Sequence, residues 1–292
     1  MDIQIMTDGA ADLTKEEGLK RGITVIPFYV YSERNIDAAF SGVTELYEEM
    51  VKKPKEVFKT ACPSPEEFMK PFREAIEQGK GVICVTITQK FSGSYSSAVL
   101  ARSQILEEFP NAKICVIDSQ MNSVLQGLFV NEIEKMVRSD LSFDEIVVRA
   151  EALIPNGKIM FTVGNLDYLR AGGRIGALRY VITKTLSVRP LITMQDGDIK
   201  SGGLGIGVHG AMKKVVSNVA DFFARTGDKM EDYNFVVGYG AERSLGERIA
   251  ELFRKAFPQF QGELPIRQIT EVSAVHTGPS TVGFGFLKKA LI

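Results

Sequence analysis

Short apolar runs and amphipathic stretches alternate along the first half of the chain. Residues 2–6, 23–31, 58–61, 81–88 and 113–118 are apolar runs of strand length. The stretches between them have helical spacing: Leu46, Tyr47, Met50 and Val51 fall on one face of 44–53, and further helices are predicted over 94–109, near 124–138 and over 142–154. Thr14-Lys15-Glu16-Glu17 and Ser142-Phe143-Asp144-Glu145 have the form of a capping box, in which a hydroxyl and a glutamate satisfy two free backbone N–H groups. Ser64-Pro65-Glu66-Glu67 opens another helix with proline in its first turn. Strands alternating with helices predict a mainly parallel sheet covered on both faces.

Pro155-Asn156-Gly157 breaks this rhythm. Beyond it the pattern predicts strands at 158–164, 189–194, 199–201, 234–239, 265–271 and 272–276, and helices at 209–225 and 241–257. Gln195-Asp196-Gly197-Asp198 between two apolar runs is a hairpin signal. The expected fold is therefore α/β: a parallel-sheet α/β domain over 1–156, then an α+β domain over 157–292 with a mixed or antiparallel sheet.

Composition narrows the function classes. The 292 residues are 45% hydrophobic and 24% charged, ordinary globular proportions, and too many for one small core. The net charge is −1 with no basic cluster, which argues against nucleic-acid binding. No apolar run reaches the ~18 residues of a membrane span. The first residues read as a core strand rather than a signal peptide, so a cytoplasmic location is expected. Three cysteines lack zinc-site spacing, and two histidines, His209 and His276, exclude a histidine-rich metal site. Cys84 and Cys115 sit in apolar strands; Cys62 reads as an ordinary loop residue, with a reactive thiol as the alternative.

In an open α/β sheet, ligands bind beyond the carboxyl ends of the strands. Here those ends carry small polar residues: Thr7-Asp8-Gly9, Thr60-Ala61-Cys62-Pro63-Ser64, Phe91-Ser92-Gly93-Ser94-Tyr95 and Asp118-Ser119. A hydroxyl such as Ser92, where a strand gives way to a helix, suits an anion. Gly172-Gly173-Arg174 puts a guanidinium at a loop edge, either to neutralise a carboxylate or phosphate or as a plain surface arginine. His276 ends a predicted strand before a Gly-Pro turn, as a ligand contact or a hydrogen-bonded structural residue. Asp8, Ser92 and His276 leave a nucleophilic triad open, and with it a serine hydrolase acting on acyl esters, although Ser92 lacks the G-x-S-x-G setting. Gly203-Leu204-Gly205-Ile206-Gly207 lacks the preceding strand and the later acidic residue of a dinucleotide site, so it reads as a flexible connection.

Taken in order, these pieces resemble the DegV family of bacterial fatty-acid-binding proteins. The match runs from Thr7-Asp8-Gly9-Ala10-Ala11-Asp12-Leu13, through Thr60-Ala61-Cys62-Pro63-Ser64-Pro65, Phe91-Ser92-Gly93-Ser94-Tyr95-Ser96-Ser97-Ala98 and Val116-Ile117-Asp118-Ser119. It continues with Leu166-Asp167-Tyr168-Leu169-Arg170-Ala171-Gly172-Gly173-Arg174-Ile175 and Gly278-Pro279. The resemblance implies a non-catalytic carrier of one long-chain fatty acid, with no other cofactor. Its carboxylate would be held by Thr60, Ser92 and His276, with Arg174, Ser119 and Asp8 as further head-group or partner contacts. It also implies a partner, an ATP-dependent fatty acid kinase subunit that phosphorylates the carboxylate and feeds phospholipid synthesis. Two positions depart from the family pattern: Gly9 stands where serine is usual, and Cys62 where glutamine is common.

Overall fold

The structure, a computed structural model, describes residues 1–35, 40–180 and 187–292. The chain begins with β1 (Ile3–Asp8), α1 (Lys15–Arg21) and β2 (Ile23–Ile26). Both expected capping boxes form, at Thr14 and Ser142, and the Ser64 helix start, marked by its proline, proves to be a third. The single strand expected over 23–31 is two. Pro27 has no N–H to give a ladder, so the chain leaves the sheet there and resumes as β3 (Tyr29–Ser32). After α2 (Val43–Lys52), β4 (Phe58–Ala61) pairs antiparallel with β3, placing Thr60 opposite Val30. β4 thus stands outside the parallel sheet that the alternating pattern predicted for it.

The first half continues with α3 (Pro65–Glu77), β5 (Gly81–Thr86), α4 (Ser94–Glu108), β6 (Ile114–Asp118), α5 (Ser123–Val137) and α6 (Phe143–Leu153). Its parallel sheet has the order β2-β1-β5-β6. The second half supplies β7 (Gly157–Thr162), α7 (Asp167–Ala171), β8 (Val188–Gln195), β9 (Asp198–Ile206), α8 (Gly207–Thr226) and β10 (Tyr233–Tyr239). It ends with α9 (Arg243–Ala256), β11 (Ile266–Gln268), α10 (Glu271–Thr277) and β12 (Val282–Lys288). These strands form a mixed sheet, β11-β10-β12-β7-β8-β9, in which only the β10–β11 pair is parallel. The β8–β9 hairpin turns at Asp196 and Gly197, both with positive φ as a type I′ turn needs.

Two predicted elements change type. Residues 272–276 are not a strand but most of α10. A short apolar run does not by itself separate strand from buried helix. Here the run is buried on two sides: Val272 packs with Ala10 and Ile87, while Ala274 and Val275 pack with Leu46, Tyr47 and Met50. The glycine run 203–207 is not a flexible connection; it completes β9 and opens α8. A Cβ on Gly205 would lie 2.4 Å from Ala211 Cα, so glycine lets strand and helix touch.

Helix α5 lies between the two sheets. Its Leu125, Leu128, Phe129 and Ile133 join Ile5, Ile83 and Ile117 of the parallel sheet to Ile159, Phe161 and Val236 of the mixed sheet in one buried cluster. The far face of the mixed sheet buries an aromatic core against α8 and α9, with Phe223, Phe235, Phe253, Phe284 and Phe286 at its centre.

Candidate functional site

Four of the predicted site residues come together. Thr60 arrives on β4, Ser92 on the loop between β5 and α4, His276 in the last turn of α10, and Arg174 just after α7. All four line one cavity of about 280 Å³. The rest of its wall is largely apolar, with Phe28, Ile87, Phe91, Phe161, Leu169 and Val272. Asn122, Phe161, Ser273 and Thr277 also border a narrower void of about 30 Å³, which ends against Val124, Gly238 and Phe284. The hollow therefore runs from a polar mouth toward the apolar layer between the sheets.

The polar end is built from the Thr60 and Ser92 hydroxyls and the His276 ring. Thr60 Oγ1 lies 2.9 Å from His276 Nε2. Burial, then the nearby Arg174 cation, lowers the His276 pKa to about 4, so the ring is neutral at pH 7. Its Nδ1 is buried with no hydrogen-bond partner among the described residues. With the ring proton on Nε2, Thr60 Oγ1 accepts it and the threonine's own O–H is left to donate; with the proton on Nδ1, the threonine donates to Nε2 and Nδ1–H is left, so the pair has one spare proton in either tautomer. Ser92 Oγ accepts from the Ser94 N–H at 3.1 Å, which likewise leaves its proton for a ligand. Gly172 makes room for the imidazole: a Cβ there would stand 2.2 Å from Nδ1.

Arg174 is not a free surface side chain. Its Nε donates to Phe91 O at 2.9 Å and its Nη1 to Gly172 O, so the guanidinium is fixed beside the Ser92 loop. Among the described residues no carboxylate pairs with it. The Ser92 hydroxyl proton, the one spare proton of the Thr60–His276 pair and a cation with no carboxylate partner among the described residues suit a carboxylate.

Asp8 and Ser119 do not line this cavity. Asp8 is fully buried and accepts from Ala10 N, Ile87 N, Ser94 Oγ and Gln126 Nε2. Ser119 Oγ donates to Thr86 O at 2.7 Å and accepts from Met121 N, closing the turn after β6. The Asp8–His276–Ser92 relay does not form either: the histidine faces Thr60, and the aspartate is bonded elsewhere. Among the described residues no group of His, Cys, Asp and Glu is arranged to hold a metal ion, and no helix is long and apolar enough to cross a membrane.

Sequence reasoning passed over Asn122, which lines both parts of the hollow. It occupies the N-cap position of α5, where asparagine ordinarily accepts from the first turn, but makes no such bond, and its Oδ1 is buried without a partner among the described residues. An Asn-Ser pair before an apolar helix was the available signal; the outward turn of the side chain was not. Cys62, read as an ordinary loop residue, is in the cavity wall.

Comparison with known proteins agrees with this architecture. A family model described as "Uncharacterised protein, DegV family" matches residues 2–289. A DegV domain-containing protein of Deinococcus radiodurans is 30% identical over 286 residues, 97% of each chain. Among solved structures, a stearic acid-binding protein from Eubacterium ventriosum is 36% identical with a TM-score of 0.89, covering 99% of both chains. A fatty-acid-binding DegV family protein from Thermus thermophilus is 25% identical with a TM-score of 0.84, covering 99% of this chain and 100% of its own. The chain described here belongs to the DegV family.

Proposed function

We propose that this protein is a cytoplasmic, non-catalytic carrier of one long-chain fatty acid. Its carboxylate is held by Thr60, Ser92 and His276 beside Arg174, and its tail enters the apolar hollow between the sheets. The single observation behind this reading is that the four polar groups line one cavity whose remaining wall is largely apolar. The fatty-acid binding stated for the Eubacterium and Thermus proteins supports it. In this reading residues 1–156 bind the head group through Thr60 and Ser92, and 157–292 complete the acyl pocket and add His276 and Arg174.

Physical chemistry favours such a ligand. Each buried CH₂ contributes about 0.8 kcal/mol, so ~14 methylenes gain on the order of 11 kcal/mol before ordering costs. The carboxylate needs charge-assisted donors to leave water, and the spare protons of Ser92 and of the Thr60–His276 pair, with Arg174, offer them. We propose further that the carboxylate is offered to a separate ATP-dependent kinase, because the chain has no phosphate-binding loop of its own. The acyl phosphate then enters phospholipid synthesis.

The test is calorimetric titration of delipidated protein with stearate and with oleate, alongside native mass spectrometry of freshly purified protein. One acyl chain per protein is expected in both. Absence of uptake of either acid by folded, delipidated protein would refute the carrier assignment.

A further inference from the structure

The sequence motif Thr7–Asp12 carries two buried carboxylates, and neither enters the cavity. We infer that both are positioning residues: Asp8 sets the loop that carries Ser92, and Asp12 sets the helix that carries His276. The inference rests on the carboxylate-binding reading of those two side chains.

Asp8 grips the Ser92 loop at both ends. Its Oδ2 accepts from Ile87 N at 2.9 Å, just before the loop, and from Ser94 Oγ at 2.7 Å, just after it. Ser94 N in turn donates to Ser92 Oγ. The orientation of the Ser92 hydroxyl therefore descends from Asp8 through a single residue. The opposite oxygen, Oδ1, accepts from Ala10 N and Gln126 Nε2, which ties the carboxylate to β1 and α5.

Asp12 does the same for α10. Its Oδ1 accepts from Thr270 N at 2.8 Å, Thr270 Oγ1 at 2.9 Å and Ser273 Oγ at 3.2 Å, so it holds the N-cap and first turn of the helix. Its other oxygen accepts from Ser123 Oγ at the start of α5. His276 follows Ser273 by three residues, less than one turn of a rigid helix. Asp12 itself has φ +49°, a left-handed conformation uncommon outside glycine.

All eight hydrogen bonds are donated to the carboxylates, and no cation pairs with either among the described residues. Burying two carboxylates is costly, and the hydrogen bonds offset that cost only in part, since burial still raises both pKa values. One strand-end motif thereby braces the two walls of the site, one from each half of the chain. Fixing a binding group through a second layer of hydrogen bonds is what holds such geometry within tolerance.

Double-mutant cycles on the delipidated full chain test this, titrated with stearate and, as a ligand lacking the carboxylate, with 1-octadecanol. S92A, H276A, D8N and D12N are each expected to weaken stearate binding about tenfold, the cost of one lost head-group bond. The matched doubles D8N/S92A and D12N/H276A should lose no more than about threefold beyond their weaker single, whereas the crossed double D8N/H276A should lose about a hundredfold. Octadecanol affinity should stay within about twofold throughout. If either aspartate variant fails to fold, S94A and S273A break the same links and carry the same expectation. Additive losses in the matched pairs, or equal losses for stearate and octadecanol, would overturn the positioning role. If S92A and H276A themselves left stearate affinity unchanged, the carboxylate reading would fall first, an outcome distinct from active head-group residues that do not couple to the aspartates.

Discussion

The two faces of the mixed sheet are built on opposite rules. On the side of α8 and α9, Phe223, Phe235, Phe253, Phe284 and Phe286 interlock at ring separations of 5.1–5.9 Å. On the side facing α5 and α10, hydroxyls and the carboxylates of Asp8, Asp12 and Glu132 are buried, and Asn122 Oδ1 and His276 Nδ1 have no partner among the described residues. Close apolar packing stabilises without selecting a ligand. Buried polar groups with protons to give cost stability and supply recognition. The side of α8 and α9 is packed with rings, whereas the side of α5 and α10 sets these polar groups beside an apolar cluster of its own.

The largest break in this contrast should come from the aromatic side. Phe235→Ala removes a ring in contact with Phe253, Phe260 and Phe286. It should cost about 3–5 kcal/mol in denaturant unfolding and leave stearate affinity per folded molecule unchanged.

Next comes pH dependence, which belongs to the polar side. The His276 pKa is lowered to about 4 by burial and then by Arg174, so the unfolded chain takes up that proton first and stability is lost as pH falls from 6.5 through 4. Burial, against four donated hydrogen bonds, raises the Asp12 pKa to about 6, so the folded chain takes up that proton first and stability is lost as pH rises from 3.8 through 6. Each contribution is about 3 kcal/mol, and between pH 4 and 6 they oppose one another. Relative to wild type, His276→Asn should make stability fall more steeply as pH rises over that window, and Asp12→Asn should make it rise more steeply. Urea midpoints at pH 4, 5 and 6 measure both.

Smaller effects follow at the mouth. Thr60→Ala or Ser92→Ala should weaken stearate binding by about 1–3 kcal/mol, the usual cost of an unpaired buried charged group. Their unfolding midpoints should fall as well, because each oxygen also bonds within the protein, Thr60 Oγ1 with His276 Nε2 and Ser92 Oγ with Ser94 N. Smallest of all is the surface. Arg73→Ala, which breaks the exposed pair with Glu108, should cost less than about 1 kcal/mol and change no binding parameter.

Much of the scaffold was legible wherever a local signal had a local cause. The capping boxes at Thr14, Ser64 and Ser142, the type I′ turn at Asp196-Gly197 and the four parallel strands all follow from neighbouring residues. The strand–helix ambiguity of residues 272–276 was not resolvable that way, because α10 is decided by packing against α2 and by Asp12, more than 250 residues away in sequence. Pro27 did carry the signal that splits the strand over 23–31, and reading the apolar run alone hid it. Of the site, Thr60, Ser92 and His276 were recognisable through the order of motifs shared with a family, not through spacing. Their meeting depends on β4 leaving the main sheet and on α10 being a helix. Asp8 was expected at the head group because it ends a strand; its burial beneath the Ser92 loop is a property of the assembled fold.

The most direct test is a crystal structure of the protein loaded with stearate. The account predicts one acyl chain whose carboxylate lies within hydrogen-bond distance of Thr60 Oγ1 and Ser92 Oγ beside Arg174, with the tail passing Phe161 toward Phe284. A carboxylate at the opposite end of the hollow, or a chain bound outside it, would contradict the account.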